Sequence, residues 1–73
     1  MRRFSGRQLR ERRIAAGLRI EHIAVHVNRT AQLVQALEAG RANPSIEVLA
    51  GCADLLRCAT DDLFESTPAS VAA

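Results

Sequence analysis

The chain has 73 residues with a formal net charge of +2, and only 3% of them are aromatic, so we expect one small domain with an aliphatic core. No segment approaches the roughly 18 consecutive apolar residues of a membrane-spanning helix, and no apolar run follows the basic start, so we expect neither a membrane span nor a signal peptide. We therefore expect a cytoplasmic protein in which Cys52 and Cys58 are reduced thiols.

Charge is unevenly distributed along the chain. Residues 1–41 carry nine arginines against three glutamates, a net charge of +6, whereas residues 42–73 carry one arginine against five acids, a net charge of −4. A basic half of this kind favours a polyanionic partner. An ordinary solvated surface is the alternative, and charge alone fits both.

The sequence begins with a basic arm at residues 1–4, followed by a first helix. Ser5, with a glutamine three residues later, matches a capping box, and the helix should run to about Ala16 before the turn at Gly17. Arg13 falls on the inward side of this helix. It therefore needs a carboxylate partner, because an unpaired buried charge is very costly.

A second helix is predicted from about Ile20 to Val27, because its apolar residues recur at i, i+3, i+4 and i+7. Arg19 occupies the capping position although its side chain cannot accept a hydrogen bond from the helix amides. Asn28 should end this helix in the left-handed conformation. Only about three residues then separate it from the next helix, so the two helices should cross.

The third helix is short and has two different sides. Thr30 can cap its start and Gly40 can close its end. Val34 and Leu37 fall on one side, which we expect to be buried. The opposite side consists of uncharged residues, some with amide groups that donate and accept hydrogen bonds: Gln32, Gln35, Ala36 and Ala39. This second side is the candidate functional surface.

Ser45 should cap a fourth helix, which carries two apolar stripes. The main stripe consists of Ile46, Leu49, Ala50, Ala53 and Leu56. The second stripe consists of Val48, Cys52 and Leu55. A helix with two apolar faces must be covered twice, by the core and by either the last helix or a second subunit. Thr60 should cap that short last helix, and residues 66–73 are expected to be a disordered tail.

In order and spacing, the chain resembles the helix-turn-helix domain of the Cro/repressor (XRE) family. The residues that carry this resemblance are Gly17-Leu18, Glu21, Ile23-Ala24, Thr30, Val34, Leu37-Glu38, Gly40, Asn43-Pro44-Ser45, Asp61 and Leu63-Phe64. The resemblance implies an all-α, compact five-helix, lambda-repressor-like domain over residues 5–65. It also implies that the second and third helices form the helix-turn-helix and that the third enters the major groove of double-stranded DNA.

The resemblance also implies roles for individual residues. Arg13 matches an arginine that pairs with the glutamate ending the third helix, here Glu38. The implied DNA-binding residues are Arg19, Arg29, Thr30, Ala31, Gln32, Leu33, Gln35, Arg41 and Asn43. Leu33 lies between the two sides of its helix, so core packing and contact with a thymine methyl group suit it equally. Ile20, near a phosphate, stands where the family usually has glutamine.

Metal binding and catalysis have little support. His22 and His26 are four residues apart and could share a metal ion, but no third ligand is near in sequence, so we interpret them as surface histidines. Cys52 and Cys58 lack the spacing of a metal or redox pair, and Cys52 suits a small buried apolar site. No catalytic arrangement is evident. We expect no enzymatic activity, no cofactor and no membrane partner.

The leading hypothesis is a small transcriptional regulator that binds DNA in a sequence-specific manner as a homodimer through helices 4 and 5. Its size suits a phage or plasmid repressor or a restriction–modification controller, and hence a bacterial, phage or plasmid origin. The alternative is a protein-interaction module that keeps the fold but binds DNA weakly or not at all. Ile20, Leu33 and the uncharged face of the third helix motivate that alternative.

Overall fold

A computed structural model describes residues 3–65 of the chain, and this part is all-helical. The elements are α1 (Gly6–Ala15), α2 (Ile20–Val27), α3 (Ala31–Ala39), α4 (Ile46–Leu56) and a 3₁₀ helix (Thr60–Leu63). The all-α class is confirmed, but the count of five α-helices is wrong. The last element has only four residues before Phe64 becomes extended, which suits the tighter i→i+3 geometry. Within residues 3–65 no helix has the length and hydropathy needed to cross a membrane.

Local capping chemistry sets most helix ends where the sequence predicts them. The hydroxyl groups of Ser5, Thr30 and Ser45 each accept a hydrogen bond, 3.1–3.2 Å long, from the amide three residues on. Asn28 (φ 57°) and Gly40 (φ 80°) close α2 and α3 in the left-handed conformation. These contacts satisfy backbone groups that have no partner within their own helix.

One helix start differs from the sequence prediction, and one helix end was not predicted. Thr60 does not cap the last element but is its first residue; Ala59 occupies the capping position and donates its backbone N–H to the Asp62 carboxylate at 3.0 Å. Arg57 follows the last residue of α4 and adopts φ 55°, although it is neither glycine nor asparagine. The backbone N–H of Cys58 then donates to the carbonyl of Ala53 at 3.0 Å, which completes a Schellman turn.

The core is aliphatic and is shared by all five elements. Its buried residues are Leu9, Ile23, Ala24, Val34, Leu37, Val48, Cys52, Ala53 and Leu63. Helix α2 packs on α3 and α4, while α1 packs mainly on α3. The central position of α2 suits its regular apolar stripe.

Helix α4 contributes residues of both apolar stripes to the core. Val48 and Cys52, from the second stripe, are 2% and 1% exposed, and Ala53, from the main stripe, is 4% exposed, whereas Ile46, also from the main stripe, is 87% exposed. The core lies on the side of α4 that faces α2 and the 3₁₀ helix. Two stripes of similar hydropathy do not reveal which of them meets these neighbours, so periodicity could not decide the orientation.

The two ends of the described chain are joined by backbone contacts. Phe4 and Phe64 form an antiparallel bridge. Beside them, the amide of Ser5 donates to the carbonyl of Leu63 and the amide of Glu65 donates to the carbonyl of Arg3, each at 2.8 Å. The last part of the expected basic arm is therefore attached to the domain. Residues 1–2 and the expected tail at 66–73 lie outside the described residues.

Candidate nucleic-acid interface

A tight turn positions α3 against α2. Asn28 takes the left-handed conformation, and the amide of Arg29 donates to the carbonyl of Ala24 at 2.9 Å. Thr30 then caps α3 at once, so only three residues separate the helices. Ala24 of α2 is buried, and its small side chain permits a neighbouring helix to approach closely. The turn therefore holds α3 in one orientation, with one side in the core and the other in solvent.

The solvent side of α3 is the candidate interface. Val34 and Leu37 are fully buried, whereas Gln32, Gln35 and Ala39 are exposed. Neither glutamine side chain makes a hydrogen bond among residues 3–65. Both amide groups are thus free to donate and accept toward a ligand.

The flanks of this surface are partly buried, which for Leu33 agrees with core packing, one of its two expected roles. Ala31 and Leu33 are half-buried and pack against the core, so Leu33 presents only part of its side chain to a ligand. Thr30 is exposed, and its oxygen accepts from the amide of Leu33 at 3.1 Å. Its hydroxyl hydrogen remains available, because the capping bond uses only the oxygen lone pair.

A largely buried ion pair joins α1 to α3. Arg13 Nε donates to Glu38 Oε2 at 2.7 Å, and Arg13 Nη2 donates to Glu38 Oε1 at 3.2 Å. The remaining Arg13 nitrogen, Nη1, donates to the carbonyl of Leu18 at 3.0 Å. The two side chains are only 14% and 6% exposed. This bidentate pair ties α1, the turn before α2, and α3 together.

The arginines implied to bind DNA lie before and after α3 in the sequence, and α3 itself contains none. Arg19, Arg29, Arg41 and Asn43 are all exposed. Arg29 bends back toward the end of α2, where its Nη1 donates to the carbonyl of Asn28 at 3.0 Å and approaches that of Val27 at 3.4 Å. Arg19 and Arg41 form no ion pair within the described part of the chain.

His22 contributes to the start of α2, a role that the sequence did not predict. Its Nδ1 accepts a hydrogen bond from the backbone N–H of Arg19 at 3.0 Å. This is the reciprocal half of a capping box, usually supplied at this position by glutamate or glutamine. The acceptor three residues after the cap was the available signal, but histidine is not the residue type associated with it.

The two histidines of α2 have different partners. Whereas His22 bonds to the helix start, His26 Nε2 lies 3.6 Å from the Asp54 carboxylate on α4. No cluster of three or more potential metal-ligating side chains occurs among the described residues. Each histidine therefore has its own partner: His22 contacts the backbone of Arg19, and His26 contacts the carboxylate of Asp54.

Both cysteines are free thiols held in their neutral form. Burial raises the pKa of Cys52 to about 11, and the nearby Cys58 and Glu38 add to this effect. Burial also raises the pKa of Cys58, against the opposing influence of Arg12. Because the thiolate is the reactive form, neither environment activates a nucleophile.

Comparison with known proteins agrees with this geometry. A family model described as a helix-turn-helix domain matches residues 6–66. Among solved structures, the chain is similar to the restriction-modification controller protein C.AhdI from Aeromonas hydrophila, with a TM-score of 0.75 and 32% sequence identity. That similarity covers 81% of this chain and 89% of the other. No curated protein sequence matches the chain.

Proposed function

Because this chain belongs to the Cro/XRE-type helix-turn-helix family of DNA-binding regulators, we propose that it binds double-stranded DNA sequence-specifically and places α3 in the major groove. The observation that carries this proposal is the exposed amide face of α3. Gln32 and Gln35 point to solvent without partners among residues 3–65. A glutamine amide can pair with the N6 and N7 atoms of adenine in a bidentate manner.

Phosphate contacts supply the remaining affinity. The candidate contacts are exposed residues that precede α2 or flank α3 in the sequence: Arg19, Arg29, Arg41 and Asn43. Neutralised phosphates release counterions, so binding should weaken steeply as salt rises. The face itself carries no arginine or lysine. Bidentate readout of guanine is therefore absent from α3, and the preferred sites should be rich in A·T pairs where the glutamines contact them.

Homodimerisation is the second part of the proposal. Two copies would bind half-sites about 34–36 Å apart, one helical turn of DNA. The exposed side of α4 supports such an assembly, because Ile46 is 87% exposed and Ala50 lies beside it, with the 3₁₀ helix packed against the same α-helix. Sedimentation measures the mass directly. We expect a dimer that Ile46→Glu converts to a folded monomer, and a monomeric wild-type protein would contradict this part.

The protein-interaction alternative keeps only one of its three motives. Ile20 and Leu33, taken as apolar residues of an exposed surface, are half-buried and pack against the core, whereas the uncharged face of α3 is exposed. The alternative therefore remains only as an outcome of the DNA-binding test.

Selection from a random duplex library, followed by a salt titration of the enriched sequence, tests the proposal. We expect a two-fold symmetric sequence and a steep negative dependence of log K on log salt. Gln32→Ala and Gln35→Ala should each cost about 1–3 kcal/mol on the selected duplex, because a base contact is lost. The same variants should bind a scrambled duplex as the wild type does.

The duplex-library selection can also contradict the proposal. If no sequence is enriched and the wild-type protein binds every duplex weakly, the DNA-binding proposal fails. The chain would then fit a protein-interaction module that has kept the helix-turn-helix fold.

A further inference from the structure

We propose that Arg10 on α1 is an additional DNA-phosphate contact at the edge of the α3 surface, an inference that rests on the proposed DNA binding. A cleft of about 290 Å³ separates α1 from the helix-turn-helix. Its lining joins Arg10 to the first residue of α2, Ile20, and to the exposed face of α3 at Gln35 and Ala39. An arginine from outside the helix-turn-helix thus lies beside the candidate base-reading surface.

The backbone packing explains this position. Helix α1 touches α3 at Gly6, where a Cβ atom would fall 2.7 Å from the carbonyl oxygen of Glu38. Arg10 is four residues later, one helical turn along the same side of α1. Its side chain therefore leaves α1 at the border with α3, and it is exposed.

Arg10 also differs from its neighbours in its pairing. The other arginines of α1 each meet a carboxylate: Arg7 with Glu11, Arg12 with Asp62 and Arg13 with Glu38. Arg10 takes part in no ion pair or side-chain hydrogen bond in the part of the chain that the structure describes. Glu38 lines the same cleft, but Arg13 holds both of its oxygens. The Arg10 charge is thus not neutralised within the domain.

The chemistry of the cleft selects an anion on this side of the surface. Ile20 has no side-chain donor, and Gln35 and Ala39 carry no charge. Arg10 is the cationic donor of the cleft, and a guanidinium group binds a phosphate with two parallel hydrogen bonds. With α3 in the major groove, the phosphates bordering the groove are the anions within reach of that edge. The contact should add affinity on any sequence.

Salt titration of Arg10→Gln tests the inference on the selected duplex and on a scrambled duplex. We expect about eightfold weaker binding to both at about 0.1 M salt and a salt slope smaller in magnitude by about 0.9, the contribution of one phosphate contact. Arg10→Lys should restore most of the slope, because the charge is kept. Thermal unfolding should be unchanged in both variants, because Arg10 is exposed without a partner in the described domain.

Arg57→Gln is the matched control, because it removes the same charge from an exposed arginine at the end of α4. Helix α4 packs on α2 and the 3₁₀ helix, and Arg57 ends it away from the cleft. We expect this variant to keep the wild-type slope. If Arg10→Gln and Arg57→Gln weaken binding equally, the contact is overturned while DNA binding stands. If the wild-type protein binds no DNA, the proposed function itself fails.

Discussion

Arg13 and Glu38 share two hydrogen bonds across the α1–α3 contact, and both side chains are largely withdrawn from solvent. Removing one partner leaves the other charge buried without compensation. Glu38→Ala should therefore lower the free energy of unfolding by about 3–5 kcal/mol, measured by urea denaturation. Glu47→Ala, on the exposed first turn of α4, should cost at most about 1 kcal/mol and is the control.

A second variant guards against complete unfolding of so small a domain. Glu38→Gln keeps the shape of the side chain and one acceptor but loses the charge, so its cost should lie between those of the wild type and Glu38→Ala. An unfolding curve of Glu38→Ala that coincides with the wild type would show that the pair does not support the fold.

Gly6 lies where the backbones of α1 and α3 meet. A Cβ atom at this position would be 2.7 Å from the carbonyl oxygen of Glu38 and closer still to that of Leu37. Alanine normally favours a helix over glycine by about 1 kcal/mol. Here the backbone cannot yield as a side chain would, so Gly6→Ala should instead destabilise the domain, by about 1–3 kcal/mol as for other overpacked sites. Thermal unfolding measures the change.

Gly51→Ala provides the comparison within the same chain. Its Cβ atom would meet a side-chain atom, Cγ1 of Val27, at 2.9 Å, with the next contact at 3.7 Å. Because one side chain can shift, this variant should lose less stability than Gly6→Ala. Equal losses would indicate that the α1–α3 approach is no tighter than the α2–α4 approach.

Local signals account for the helices that the sequence predicts correctly. Ser5, Thr30 and Ser45 cap their helices through contacts three residues away, and Asn28 and Gly40 suit the left-handed conformation. All of this chemistry lies within a few residues along the chain. The orientation of α4 could not be predicted, because it depends on which elements pack around the helix, a relationship that is distant in sequence.

The same distinction applies to the candidate interface. Periodicity predicts that Gln32 and Gln35 lie opposite Val34 and Leu37, and their exposure agrees. The cleft beside Arg10 depends on how α1 approaches α3, which no periodic pattern contains. His22 was missed for a different reason, since an imidazole nitrogen replaces the carboxylate or amide usually found in a capping box.

Arg57 marks a place where the sequence could be improved for stability. It adopts φ 55° just after α4. This left-handed conformation costs a residue with a Cβ atom roughly 1–2 kcal/mol relative to the right-handed helical conformation. Its side chain is exposed and joins none of the ion pairs found in residues 3–65. Arg57→Gly should therefore raise the free energy of unfolding by up to about 1 kcal/mol, seen as a higher urea midpoint.

Asn28→Gly is the natural comparison for Arg57→Gly. Asparagine tolerates the left-handed conformation better than arginine, so the gain at Asn28 should be smaller. A loss of stability in Arg57→Gly would mean that the greater freedom of glycine in the unfolded chain outweighs the relief of strain.

The buried thiol of Cys52 should make stability fall in alkaline solution. In the unfolded chain this thiol ionises near its ordinary pKa of 9.0, whereas burial raises the pKa in the folded state to about 11. The folded state therefore keeps the proton between these two pH values. The contribution of this thiol to the free energy of unfolding is fully present below pH 9.0 and is lost as pH rises toward about 11. A shift of this size corresponds to roughly 3 kcal/mol.

Urea denaturation of the wild type and of Cys52→Ala between neutral pH and pH 11 tests this prediction. The variant should be less stable at neutral pH because of its cavity, but its free energy of unfolding should fall less as pH rises. Cys58→Ala should keep most of the alkaline loss. Parallel curves for the wild type and Cys52→Ala would assign the loss to other groups.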